Sequence, residues 1–518
     1  MRELLLADTL LRALLRLMSE KRLTELVKRL TPTGSSGSQV VKSLAWIGTQ
    51  NAVNRGILLL MLIVLARLIG PEELGLVGIA LLTLSGLKKF TNIGLNSALI
   101  QHEDEYVDGY LDTVWLLEIG RGVIVAGGMV LASPVIASLF GEPRAELLLQ
   151  VIAISPILFS LKNPGVVYFD KHLDFHKEFV YQLGGTVIRA VISIGYALVE
   201  PTAWAFVAGF LSADAAKFVL SYVIDDYRPW FNFDREAAEE LIDYGKWMTG
   251  SSILLFLNTE GDDAFVGWLL GPAALGFYQY AYRLSNAPAT EVTQMISRVM
   301  FPAFSKLQNN TQRLRYAFLN TLRMTSFVSF PAAFGIAAVA PTFVRAFLGP
   351  EWTEMILAMQ ILAAYGLLRS INKTFGPVWK ATGRPDILAK LGALRLILIV
   401  GLIYPLTTRF GIAGTALTVT VIYVFPMMPI GIFVLKRSIE TTYRQLLYEF
   451  AYPLIASVVM FSGVWFVYLN LDIAPILKFG VLVATGIVLY VASVFVIEVQ
   501  FDWGIRQNIT TVVSNIKS

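Results

Sequence analysis

From residue 44 onward the chain is a succession of apolar runs of about twenty residues, broken by short polar or Gly/Pro stretches. The runs fall near 44–68, 73–99, 110–139, 145–168, 176–198, 202–224, 241–269, 273–302, 316–348, 353–379, 386–407, 412–435, 446–469 and 476–498. Each is long enough for a hydrocarbon core about 30 Å thick. Helix is the fitting element, because lipid offers no partner to an open backbone N–H or C=O. Turns at Gly70-Pro71, Gly141-Glu142-Pro143, Gly271-Pro272 and Gly349-Pro350 separate several of the runs. Before the first run, Leu4, Leu11, Leu14, Leu15 and Met18 stand at helical spacing among Arg and Lys. That pattern predicts an amphipathic helix on the cytoplasmic leaflet, followed by a linker over Thr31–Ser38.

The stretch Trp247–Tyr278 repeats an earlier one. At an offset of 201 positions (247 − 46), Trp247 falls on Trp46, Leu269 on Leu68, Gly271-Pro272 on Gly70-Pro71 and Leu275-Gly276 on Leu74-Gly75. Lys162, Gly165 and Val167 match Lys373, Gly376 and Val378 at an offset of 211 (373 − 162). Six crossings return a chain to its starting side, so the pattern predicts two six-helix lobes in a parallel repeat about an axis along the membrane normal. The expected fold is all-α and polytopic, with about 14 transmembrane helices. The expected divisions are a cytoplasmic amphipathic extension (1–38), an N-lobe (39–224), a cytoplasmic linker (225–240), a C-lobe (241–436), two helices outside the repeat (446–498) and a cytoplasmic tail (499–518).

Composition agrees: of 518 residues 55% are hydrophobic and 15% charged, against about 25% charged in a soluble domain. There is no cysteine, which excludes disulfides and thiol chemistry. Arg12, Arg16 and Lys21-Arg22 interrupt the first thirty residues, so no cleavable signal peptide is expected. The net charge of +4 follows topology rather than nucleic-acid binding. With the N-terminus inside, only Arg67, Arg144, Arg345, Arg409 and Lys478 stand outside, and the tails and loops on the other face carry far more. Both termini are therefore expected in the cytoplasm, with the chain in the plasma membrane.

Several charges fall inside the runs. Arg55 stands roughly 16 Å from either end of the first at 1.5 Å per residue, where a central Arg costs about 2.5–3.5 kcal/mol on insertion scales and faces a polar interior. Arg121, Arg189, Arg283, Arg369 and Lys373 share that position, and Arg369 and Lys373, four apart, share a face. Gln279, Arg283, Asn286, Thr290, Gln294 and Arg298 form one polar stripe, in a helix that Pro288 is expected to kink. Glu118 with Arg121 and Asp214 with Lys217 have the spacing of internal ion pairs. No acid stands three or four positions from Arg55, Arg189 or Arg283. The functional reading is a hydrated, cationic cavity between the lobes, suited to an anionic headgroup. Glu260, Asp262 and Asp263 are the reverse case: Leu59, Met61 and Leu62 occupy the matching positions of the first lobe. A carboxylate cluster there can take up H⁺ or Na⁺ and couple that event to rocking of the lobes. It can instead pair with Arg or Lys of helices ten to twelve, or exclude wrong substrates from the cavity.

The runs DAFVGWLLGPAALGFYQYAYRL, ISRVMFPAFSKLQ and LARLIGPEELGLVGIA resemble the polysaccharide transporter family, the Wzx-type flippases of the multidrug/oligosaccharidyl-lipid/polysaccharide exporter superfamily. The resemblance covers most of residues 40–440. It implies about fourteen helices in two lobes that move a polyprenyl-diphosphate-linked oligosaccharide outward, driven by an ion gradient or membrane potential. The related flippase of peptidoglycan precursor uses arginines in helices one, two and eight for the diphosphate, which Arg55 and Arg283 match; helix two here offers only Lys88-Lys89. It also uses an acid in helix seven for Na⁺, for which Asp262 or Asp263 is the counterpart. Expected partners are the lipid-linked substrate, membrane lipids and a glycan polymerase or ligase, with a monomer as the working form, no nucleic acid, and no cofactor beyond Na⁺ or H⁺. A cation-coupled multidrug exporter of the same superfamily is the rival reading, although arginines repel cationic drugs. A membrane-embedded glycan polymerase is another. It needs a catalytic aqueous loop, whereas the outer loops are short and only Asp472 stands near one end of the thirteenth run. His102-Glu103-Asp104-Glu105 reads as a solvated acidic turn rather than a metal site. No P-loop, GxSxG or HExxH motif is present, so no ATPase or hydrolase is indicated.

Overall fold

The structure is a computed structural model that describes residues 36–95, 99, 107–172, 174–501 and 503–505. The expected N-terminal amphipathic helix and the His102–Glu105 turn lie outside the described residues, as does most of the tail. Among the described residues every regular element is helical, and eight helices are long and apolar enough to cross a membrane by length and composition.

Helix α1 (Ser36–Ile69) turns into α2 (Pro71–Phe90) through one residue, and α9 (Arg235–Leu270) turns into α10 (Pro272–Leu307) the same way. The joints are Gly70 and Gly271, at φ 84° and 87°, a region open to glycine and closed to most side chains. Each glycine ends one helix and starts the next: its N–H reaches back to Ala66 or Gly267, and its carbonyl accepts from Leu74 or Leu275. Pro71 and Pro272 follow at the first helical position, where a missing N–H costs nothing.

These two joints meet. A Cβ on Gly75 would stand 1.8 Å from the carbonyl oxygen of Pro272, and one on Gly276 would stand 2.2 Å from that of Pro71. The contact is reciprocal between positions matched at the 201-residue offset. The two other Gly-Pro turns gather at the same end. Arg144, just after the Gly141 turn, binds Glu142 (2.9 Å), Glu73 (2.8 Å) and Glu72, while Trp352, after Gly349, donates its Nε1–H to the Ala66 carbonyl (3.0 Å). Trp352 is fully buried between Phe277 and Tyr280, with ring centroids 5.7 and 4.7 Å away.

Between the joints lie α3 (Asp108–Leu139), α4 (Arg144–Ile152), α5 (Ile154–Ser160), α6 (Val167–Lys171), α7 (Phe175–Val199) and α8 (Ala203–Ile224). The single run expected over 145–168 is thus divided. Pro156 has no N–H to give the Ile152 carbonyl, and Pro164 opens a separate turn capped by Asn163. The run expected over 73–99 ends at Phe90, and the one expected from 241 begins at Arg235, where the Asp234 side chain caps the N–H groups of Glu236 and Ala237.

After α10 come α11 (Thr311–Phe343), α12 (Met355–Ala381), α13 (Asp386–Ile422), α14 (Met428–Ile439), α15 (Tyr443–Asn470) and α16 (Pro475–Phe501). Helix α13 is broken at Gly411 (φ 57°, ψ −141°), which separates the runs expected over 386–407 and 412–435. Helices α15 and α16 pack on α11. There the buried Glu449 takes a forked ion pair from Arg323 (2.8 and 2.7 Å) and a hydrogen bond from Trp503 Nε1 (3.1 Å).

Candidate functional site

Helices α1, α7 and α10 bring Arg55, Arg189 and Arg283 to one cavity of about 610 Å³. Its other walls are apolar apart from Tyr280: Leu58, Leu59, Met61 and Leu62 from α1, Leu81 from α2, and Phe206 and Phe210 from α8. Arg189 lies over the rings of Phe206 and Phe210, 4.7 and 5.0 Å from their centroids. Those rings hold the cation without neutralising it, and its buried Nε has no hydrogen-bond partner.

A second space of about 560 Å³ shares Arg55, Leu81 and Arg283 with the first, so the two are halves of one vestibule. The second half is polar, with Ser85, Thr259, Glu260, Asp263, Gln279, Tyr282, Asn286 and Arg369 in its wall. Arg369 is fixed by the Tyr282 hydroxyl, to which its Nη1 donates, and its guanidinium lies about 6 Å from the Tyr282 and Tyr365 rings.

The acids separate by helical geometry. Glu260 and Asp263, three apart, share the face of α9 that lines the vestibule, while Asp262 is rotated away from it. Asp262 is buried and accepts from Tyr278 (2.7 Å), and Asp263 accepts from Gln279 Nε2 (3.1 Å). Glu260 accepts from Ser85 (2.9 Å) and Lys89 (3.2 Å), both on α2. Its partner is therefore not a base of helices ten to twelve but one 171 residues earlier in the chain, which reaches it because α2 packs along α9. Asn92 to Ser252 (3.2 Å), Thr249 to the Asn92 carbonyl (2.8 Å) and an edge-on Phe90–Phe256 pair continue that seam.

Not every predicted site residue arrives at the vestibule. Arg121 is held by both oxygens of Glu118 (3.0 and 2.9 Å), as the spacing foretold, and lines neither half. Lys373, one turn beyond Arg369, lines neither half either. The expected Asp214–Lys217 pair does not form: Asp214 accepts from Ser155 (2.6 Å) and Lys217 donates to Gln182 (2.6 Å). Of the two lysines on α2, Lys88 turns to Ser155 (3.3 Å), away from the cavity. Gln279, Arg283 and Asn286 of the polar stripe line the second half; the side chains of Thr290, Gln294 and Arg298, and of the expected kink residue Pro288, lie outside the described residues. Arg395 of α13 was missed. It donates to the Tyr365 hydroxyl (3.2 Å) and lies over the Tyr423 ring (5.2 Å). It carries the signal that marked Arg189, a mid-run arginine with no acid three or four positions away.

Residues 64–357, more than half of the chain, match the family model described as polysaccharide biosynthesis protein. The chain belongs to this family. Among curated relatives it is similar to the lipopolysaccharide biosynthesis protein WzxC of Escherichia coli K12, 25% identical over 79% of this chain and 83% of that protein. It is also similar to the succinoglycan biosynthesis transport protein ExoT of Rhizobium meliloti, 23% identical over 83% of this chain and 87% of that one. Among solved structures, the fold is shared with the lipid II flippase MurJ in its inward closed conformation (TM-score 0.69, 17% identity, 87% of this chain and 98% of that one). The family member is thus a multi-span membrane transporter of polysaccharide biosynthesis rather than an enzyme.

Proposed function

We propose that this transporter flips polyprenyl-diphosphate-linked oligosaccharide across the plasma membrane by alternating access. The observation that carries the reading is the convergence of Arg55, Arg189 and Arg283 on one cavity that is otherwise apolar but for Tyr280. Three cations on non-polar walls fit a diphosphate attached to a lipid, since guanidinium groups meet phosphate oxygens in matching geometry. They oppose a cationic drug by charge. Arg121 leaves the set because Glu118 already holds it.

In this reading the chain crosses the membrane fourteen times with both termini in the cytoplasm, in lobes at 39–224 and 241–436, and helices 446–498 lie outside the repeat. The reciprocal Gly75–Pro272 and Gly276–Pro71 contacts support a two-fold relation between the lobes, and the Gly411 break supports two spans within α13. The Gly70–Gly271 end faces outward and is closed; the diphosphate enters from the other side. Coupling falls to the acids. H⁺ or Na⁺ at Glu260 competes with Lys89 for the carboxylate and frees α2 from α9, and at Asp263 it competes with the Gln279 amide, while Asp262 is a buried reserve held by Tyr278.

The test is flipping of a labelled prenyl-diphosphate sugar in proteoliposomes under imposed pH and Na⁺ gradients. Arg283→Ala and Arg55→Ala should each cut the rate at least tenfold while the protein still inserts, consistent with loss of a charge-assisted contact. Undiminished flipping in both variants would overturn the assignment.

A further inference from the structure

The vestibule has an order along its length. On one side of Arg55 and Arg283 the wall is leucine, methionine and phenylalanine with one tyrosine, Tyr280, and Arg189 alone among the charges. On the other it is mainly carboxylate, amide, hydroxyl and guanidinium, with Leu81 and Leu82. Arg55 and Arg283 belong to both halves. A polyprenyl-diphosphate sugar carries the same order in its covalent structure: hydrocarbon, then two phosphates, then a ring dense in hydroxyls.

We infer that the polar half is a glycan subsite that reads the sugar next to the diphosphate, with Arg369 and Gln279 as its specificity-determining residues. The inference rests on the proposed diphosphate role of Arg55 and Arg283. Given that anchor, the first sugar falls in the half whose wall holds Glu260, Asp263, Gln279 and Arg369. Planar side chains that each offer two polar atoms suit the paired hydroxyls of a pyranose, and a partly apolar pocket with a few fixed polar groups is the usual form of a small-molecule site. The polar groups are braced before any sugar arrives. Gln279 gives its amide to Asp263 (3.1 Å), and Gly78 of α2 lies so close that a Cβ there would stand 2.8 Å from the Gln279 Oε1. Arg369 gives one N–H to Tyr282, which leaves other donors of its fork for a ring hydroxyl or an acyl oxygen. Bracing of this kind lowers the entropy lost on binding. Arg369 thereby passes from the diphosphate set to the sugar set.

The subsite is tested by binding of two probes to the full chain in nanodiscs: undecaprenyl diphosphate, and the same lipid carrying one N-acetylglucosamine. Arg369→Gln should weaken the sugar-bearing probe about tenfold and leave the sugarless one unchanged, the loss expected for one hydrogen bond from a charged donor. Gln279→Leu should weaken it less, in the same direction. Tyr282→Phe keeps the ring and removes only the hydroxyl that orients Arg369; it gives a partial loss confined to the sugar-bearing probe, and it stands in should Arg369→Gln fail to fold. Equal weakening of both probes by Arg369→Gln, or of neither, overturns the inference. Arg283→Ala reads the other assignment: it should weaken both probes, and if it weakens neither, the diphosphate reading fails while the contrast at Arg369 is still measured.

Discussion

Replacing Gly75 by alanine puts a methyl group where no room exists. The new Cβ would stand 1.8 Å from the Pro272 carbonyl oxygen, so α2 and α10 must part by at least 1.2 Å (3.0 − 1.8) to reach the shortest separation real Cβ atoms show. A backbone carbonyl in a helix cannot swing aside as a side chain would. The exchange gains up to about 1 kcal/mol of helix propensity, but overpacking costs about 1–3 kcal/mol, and a rigid obstacle favours the upper part of that range. The net loss of about 1–2 kcal/mol falls on the closed arrangement of the Gly70–Gly271 end. It shifts the open-to-closed ratio there by a factor of about 5–30.

The chain contains no cysteine, so one introduced thiol reports without background. With Leu81→Cys, in the wall common to both halves of the vestibule, Gly75→Ala should speed labelling by an impermeant maleimide added at the Gly70–Gly271 end. Gly276→Ala needs only 0.8 Å (3.0 − 2.2) and should act more weakly. Because the same gap serves both methyl groups, the double variant should do less than the sum of the two. Gly120→Ala meets nothing within 4 Å, so it should leave the rate near that of the parent. Labelling unchanged in Gly75→Ala, or raised equally by Gly120→Ala, would refute the argument that this glycine contact seals the end.

Other outcomes follow from the same geometry. Glu449→Gln strands Arg323 in a largely buried setting and should cost about 3 kcal/mol in detergent melts, with Glu449→Leu/Arg323→Leu together costing less than the two singles combined. Glu260→Gln removes the anchor of Lys89 and should speed thiol labelling from the Lys89 end without changing it at the Gly70 end. At the Gly141 turn, the Arg144 side chain donates to the Glu142 carboxyl and holds it below the usual carboxylate range. A depressed value stabilises the fold above the unfolded value of about 4.3 and ceases to as pH falls through the folded one. Glu142→Gln should therefore melt slightly below the parent at pH 7, by under about 1 kcal/mol for a pair whose arginine is half-exposed. The two should converge as pH falls through the lowered folded value, and a gap that does not narrow with falling pH would exclude this linkage.

What could be read from the chain alone was what depends on near neighbours. Helical runs follow from the apolar pattern, the one-residue joints from Gly-Pro, and the Arg121–Glu118 pair from a spacing of three. The break at Gly411 falls between two expected runs, whereas the one at Pro156 divides a run expected to be single, and each acts through its own missing Cβ or missing N–H. The azimuth of one helix against another escaped that reading. Lys89 meets Glu260 in place of a base later in the chain because α2 carries glycines where α9 and α10 approach it: Gly75 against Pro272, Gly78 against Gln279 and Gly86 against Phe256. Those three positions set how close and at what rotation α2 lies. They thereby bring Leu81 and Ser85, on the intervening turn, to the vestibule wall opposite Arg283 and Glu260. The same packing decides which mid-run arginines count. Arg55, Arg189, Arg283 and Arg369 reach the vestibule, while Arg121 and Lys373, equally conspicuous in the chain, do not. A buried charge in a membrane run marks a polar interior, but which interior it marks depends on side chains too small to carry any charge.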